Sequence, residues 1–170
     1  EVVDMNSMFY ACTSLTSLNL NHFNTNKVTN MSGMFGLCEK LTSLNLTPLN
    51  TQNVTDMSDM FYNCSGLTTL DLSPLDTQKV TNMSWMFYNC SGLTALDLSL
   101  IDTSKVTNMN AMFKDCSTLT HLSLGEKFAF VGSEYNLPSG TWYSSDGTAY
   151  TSNGKSCTIP NNKADTYTRR

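Results

Sequence analysis

The sequence predicts an α/β solenoid, with a curved parallel sheet on the concave side, short helices on the convex side and a small β-rich C-terminal cap. Three observations carry this expectation. Cys12, Cys38, Cys64, Cys90 and Cys116 recur every 26 residues, and Phe9 to Phe113 and Leu18 to Leu122 keep the same step. All ten methionines fall in two further columns that start at Met5 and Met8. Within each unit an apolar spacing of three and four residues gives way to alternation. A fixed period in this range marks stacked supersecondary units that share one core.

The elements follow in order through the unit that contains Cys90. Met83, Met86, Phe87 and Cys90 lie at i, i+3, i+4 and i+7, the spacing of one helix face. Thr81 or Asn82 is placed to cap such a helix, and Ser91-Gly92 to break it. Leu93, Leu96 and Leu98 then form an L-x-x-L-x-L strand pattern, and Ile101 and Val106 point inward on the return to the next unit. Strands stack about 4.8 Å apart, whereas helices with their side chains need about 10 Å. That mismatch predicts a horseshoe with the sheet inside.

The repeat array spans residues 1–124, and a β-rich cap or transition segment spans 125–170. In the latter, "KFAFVG" alternates Phe128 and Phe130 as a strand would. "TWYSSDGTAYT" reads as a hairpin with Asp146-Gly147 at its turn and Trp142, Tyr143 and Tyr150 on its arms. Val2 to Met5 aligns with Val28 to Met31, so the array is expected to be cut at its N-terminal side and to start without a cap. An open first unit is expected to fray over residues 1–25 or to associate weakly through that end.

Charged residues make up 14% of the chain and the net charge is −4. This weak acidic balance argues against nucleic acid and anionic membrane as partners. No run of eighteen apolar residues occurs, so the chain is not expected to be membrane-embedded. No cofactor, metal or catalytic motif is expected. The stretch Asp71 to Asp76 lacks the ligand density of a calcium loop.

The cysteine column shares the inward face of Met and Phe. Helix spacing would hold neighbouring thiols beyond disulfide reach, and parallel side chains do not converge on a metal. The sequence therefore points to free thiols acting as small buried hydrophobes, ahead of disulfide or redox roles. Cys157 lies outside the array and is the one candidate for an exposed thiol.

Two outward surfaces carry candidate sites. Trp85 stands where other units have Ser7, Gly33, Asp59 and Ala111, so the core does not require it. Tyr10, Tyr62 and Tyr88 share one column beside it. Together they form a candidate partner surface, or else rings packed against neighbouring helices. The concave face offers Asp71, Asp97 and His121 among small polar residues. It suits a hydroxyl-rich ligand less well than plain solvation, and a His–Asp–Ser grouping there comes without an elbow motif or pocket.

At "VTNMSWMFYNCSGLTALDLSLIDTSKVTNM" the chain resembles the BspA-type leucine-rich repeat, the 26-residue form of bacterial surface proteins and mycoplasmal lipoproteins. The resemblance covers residues 1–124 and supplies no binding residues. It implies an extracellular, cell-surface protein without enzymatic activity, often an adhesin for host matrix protein, glycan or another bacterium. The alternative is a passive stalk that displays another domain.

Overall fold

The computed structural model describes residues 2–170; Glu1, the first residue of the expected uncapped front, lies outside them. The predicted α/β architecture is overturned: no segment among the described residues is a helix. The helix-spaced segments are runs of tight turns. In the first unit the N–H groups of Met8, Tyr10 and Cys12 close i→i−3 turns on Met5, Ser7 and Phe9. The N–H groups between them leave the unit altogether: Ser7 donates to Ser32, Phe9 to Met34 and Ala11 to Gly36, at 2.8–2.9 Å. The same alternation recurs in the following units and ends where Ala111 and Phe113 donate to Glu134 and Tyr135 in the C-terminal segment.

Backbone angles show why no helix forms. Two columns hold a positive φ in every unit, Ser7, Gly33, Asp59, Trp85 and Ala111, and Ala11, Leu37, Asn63, Asn89 and Asp115. A left-handed residue every fourth position is incompatible with a right-handed helix. The turn run still directs Met83, Met86, Phe87 and Cys90 inward, and all four are buried. The burial pattern of the sequence therefore survives while its backbone does not. Asn82, placed as a helix cap, accepts instead from the Ser84 N–H at 3.1 Å and closes an Asx turn. Gly92 does more than end a segment, because a Cβ there would lie 2.5 Å from the Leu67 carbonyl of the preceding unit.

Asx turns explain much of the Asn and Asp content. Each of the middle units makes three, as in Asp56 to Ser58, Asp71 to Ser73 and Asp76 to Gln78. Between units a buried threonine column adds a second link. Thr51 Oγ1 donates to the Asp76 carbonyl at 2.9 Å and accepts from the Asp76 N–H at 2.8 Å. Thr25, Thr77 and Thr103 repeat the exchange. Phe9, Phe35, Phe61, Phe87 and Phe113 stack face to face through the core at 5.8–6.1 Å.

The continuous concave sheet is also absent. Leucines alternate inward as expected, with Leu44, Leu46, Leu70, Leu72, Leu96 and Leu98 buried. Among the described residues the one parallel ladder between strands joins β1 (Ala95–Leu98) and β2 (His121–Leu124), with single parallel bridges such as Asp56 to Asn82 linking the units elsewhere. The turn segments and threonines carry the stacking bonds elsewhere, so alternating burial does not require a ladder. Without helices on the far side, the spacing mismatch that predicted a horseshoe is gone.

The C-terminal segment continues the sheet. Strands β3 (Gly140–Tyr143) and β4 (Ala149–Ser152) form the expected hairpin, pairing Trp142 with Tyr150. Its turn holds Gly147 at φ 84° and Asp146, whose carboxylate accepts from the Thr148 N–H. Strand β5 (Asp165–Arg169) pairs antiparallel with both β2 and β3, giving the order β1-β2-β5-β3-β4. Trp142 and Tyr167 are thereby buried, and "KFAFVG" buries its phenylalanines without forming a strand. Arg169 clasps the joint, donating to the carbonyls of Ser117 at 2.7 Å and Ser139 at 3.2 Å.

Candidate functional site

Three of the four aromatic candidates meet on the turn side of the stack. Tyr62 and Tyr88, one unit apart, stack at 4.8 Å with their planes 8° from parallel. Trp85 leans on both at 45°, 5.1 Å from Tyr88 and 6.3 Å from Tyr62 between ring centroids. The Lys114 ammonium lies 6.0 Å from the Trp85 ring and 5.9 Å from Tyr88. The neighbouring helices against which the rings were alternatively expected to pack do not exist, so the rings pack on one another. All three remain half-exposed.

Trp85 holds φ at 60°. Its column imposes this angle on every unit, and glycine or aspartate meets it at low cost, whereas a bulky ring there is an outlier. The angle belongs to the fold and is shared by Ser7, Asp59 and Ala111; what sets Trp85 apart is a large ring at a position that the core does not use.

Polar side chains border the cluster. Asn89 Nδ2 donates to Asn63 Oδ1, and Asn63 Nδ2 to Glu39 Oε1 at 2.9 Å. The Asp115 carboxylate beside the Tyr88 hydroxyl raises that phenol above its ordinary value. Burial, then the nearby Asp56, raises the Asp59 carboxyl. Tyr10 stands apart, 43% exposed, because Gly36 interrupts its column. Its ring lies on that glycine, 2.6 Å from where a Cβ would sit.

The opposite face does not assemble a reactive group. Asp71 and Asp97 each accept the N–H of the second residue on, Ser73 and Ser99, at 2.9 Å. That bonding, with the Ser73 side chain first, lowers the Asp71 carboxyl. His121 faces Ala95 across the ladder, while Asp97 faces Ser123. The His121 Nδ1 pairs with Thr120 Oγ1 at 2.9 Å rather than with an aspartate. An open groove of about 560 Å³ runs along Leu44, Asn45, Leu70, Asp71 and Asp97.

The repeat thiols are free. The reason is not helix spacing. From Cys38 onward each Sγ is directed at a carbonyl, Cys38 at Phe9 (3.3 Å), Cys64 at Phe35 (3.0 Å), Cys90 at Phe61 (3.1 Å) and Cys116 at Phe87 (2.9 Å), whereas Cys12 in the first unit is half-buried rather than buried. Burial pushes Cys38 up to about 11 and Cys64 and Cys116 up to about 12. Cys157 is half-buried rather than exposed, its N–H donating to the Tyr135 hydroxyl at 2.7 Å.

Sequence reasoning missed Lys114, the Asn63–Asn89 pair and the threonine column. The last was visible as Thr25, Thr51, Thr77 and Thr103 in strict register.

Together these features define a repeat protein whose 26-residue units stack through turn ladders and carry one aromatic cluster on the surface. Residues 3–126 match the family described as Mycoplasma protein of unknown function, DUF285, and the chain belongs to that family. No curated protein and no solved structure matches the chain.

Proposed function

We propose that this chain is a non-enzymatic binding module of an extracellular bacterial surface protein, which holds a protein or glycan partner through the surface around Trp85. The observation that carries the reading is Trp85 itself, a half-exposed indole in left-handed backbone supported on the stacked Tyr62–Tyr88 pair. Such a ring is held rigidly, so little ordering entropy opposes binding. Aromatic residues are also those in which binding energy concentrates. Membership of a mycoplasmal family and the likeness to BspA-type repeats support a surface setting.

A passive spacer is the second reading, favoured by the regular polar columns on the opposite face. A screen of the chain against extracellular-matrix proteins and glycans separates the two. Binding that falls when Trp85 is removed, and persists when His121 on the other face is removed, supports the module. A chain that binds nothing in the screen is a spacer.

A further inference from the structure

Tyr62 and Tyr88 each turn one face on the other and are half-buried. Trp85, tilted 45° to both, is the largest ring of the cluster and is half-buried, with the Lys114 ammonium 6.0 Å from its centroid. Lys114, a donor of three N–H bonds, lies against its ring, Asp115 lies beside Tyr88, the paired amides Asn63 and Asn89 follow Tyr62 and Tyr88 in the chain, and Asp59 holds the same column as Trp85 one unit earlier. Donors and acceptors are thus mixed on a short rim, which suits hydroxyl groups because each both donates and accepts.

Charge narrows the choice further. Lys114 already lies near the faces of Trp85 and Tyr88 and repels a second cation. Asp59, Asp115, Glu39 and the net charge of −4 disfavour a polyanion. A ring with an apolar C–H face and equatorial hydroxyl groups matches both the indole and its rim.

We propose that Trp85 is the stacking platform for one sugar ring of an uncharged glycan, whose hydroxyl groups meet Lys114, Asp59 and the Asn63–Asn89 amides. This assignment rests on the binding reading above and names its ligand class.

The chain has two tryptophans, and Trp142 is fully buried, so a ligand-induced change in fluorescence reports Trp85. The full chain is titrated with maltohexaose, cellohexaose, mannohexaose and neutral mucin-type O-glycans, with heparin as the polyanion control. At least one neutral glycan is expected to shift the emission saturably, and heparin is not. Trp85→Gly is the decisive variant, because glycine occupies the same left-handed column at Gly33 and the fold tolerates it. Affinity measured by calorimetry should fall at least tenfold in Trp85→Gly, and more modestly in Lys114→Met. Unchanged glycan affinity in Trp85→Gly overturns the platform. Trp85-dependent binding to deglycosylated fibronectin with no response to any glycan keeps the binding module and overturns the glycan. No binding to any of these probes overturns both.

Discussion

Thr77 and Asp102 exchange two hydrogen bonds across one repeat. The Thr77 hydroxyl donates to the Asp102 carbonyl at 3.0 Å and accepts from the Asp102 N–H at 2.8 Å. Thr77 is 2% exposed, so the pair is sheltered from water on the threonine side. Thr77→Val keeps the shape and removes both bonds, leaving two backbone groups without partners. We expect a loss of about 1–3 kcal/mol in urea denaturation. A loss below about 0.5 kcal/mol would mean that the threonine column is incidental to stacking.

The leucine positions give a paired test. Leu70→Ala and Leu96→Ala empty buried sites in the middle of the stack and should cost about 2–5 kcal/mol each. Leu100 is 68% exposed, and Leu100→Ala should change stability by less than about 0.5 kcal/mol. Equal losses at Leu96 and Leu100 would contradict the inward assignment.

The thiols make stability fall at high pH. The folded values of Cys64 and Cys116 are raised from 9.0 to about 12, chiefly by burial. Below pH 9 both states keep their protons, and the thiols do not affect the balance. Between pH 9 and about 12 the unfolded chain ionises while the folded one does not, so stability falls as pH rises. The slope is about 1.4 kcal/mol per pH unit for each such thiol. Urea midpoints from pH 8 to 10.5 should fall less steeply in the Cys64→Ala, Cys116→Ala double variant. Parallel slopes in the two proteins would contradict the raised values.

The first unit presents a row of acceptors. The carbonyls of Asp4, Asn6, Met8 and Tyr10 take no backbone N–H among the described residues, since the amides of Met5, Ser7, Phe9 and Ala11 donate forward to the next unit and only the Val3 carbonyl accepts back, from Thr29. Two copies meeting at this face would set carbonyl against carbonyl. The turn amides of Met8, Tyr10 and Cys12 should therefore exchange faster than those of Met60, Tyr62 and Cys64, without concentration-dependent dimers. Dimerisation seen by sedimentation and abolished by Met8→Glu would show that apolar contact at this end outweighs the carbonyl mismatch.

The inward columns were legible in the sequence because burial alone sets them. The backbone was not, because i, i+3, i+4, i+7 spacing is met both by a helix and by three overlapping i→i−3 turns. A discriminating signal was present in Gly33, Asp59, Asn63, Asn89 and Asp115, residue types that tolerate positive φ at positions four apart. Leu37 and Trp85 obscured it by placing bulky side chains in the same columns. The meeting of Tyr62, Trp85 and Tyr88 followed from their register, and Tyr10 dropped out because Gly36 stands between it and Tyr62. Asp71 and Asp97 read as open carboxylates because their Asx turns close locally, through a serine two residues on.

Whether each unit is a turn ladder or a helix reduces to the partner of one amide. In the structure Phe61 N–H donates to the Met86 carbonyl at 3.0 Å, 25 residues ahead. A helix would instead direct it to Met57, four residues back. Scalar coupling measured across the hydrogen bond by NMR, on uniformly 15N- and 13C-labelled protein, identifies that acceptor without a calculated structure. The account predicts a cross-peak between the Phe61 nitrogen and the Met86 carbonyl carbon, and a coupling to Met57 would contradict it.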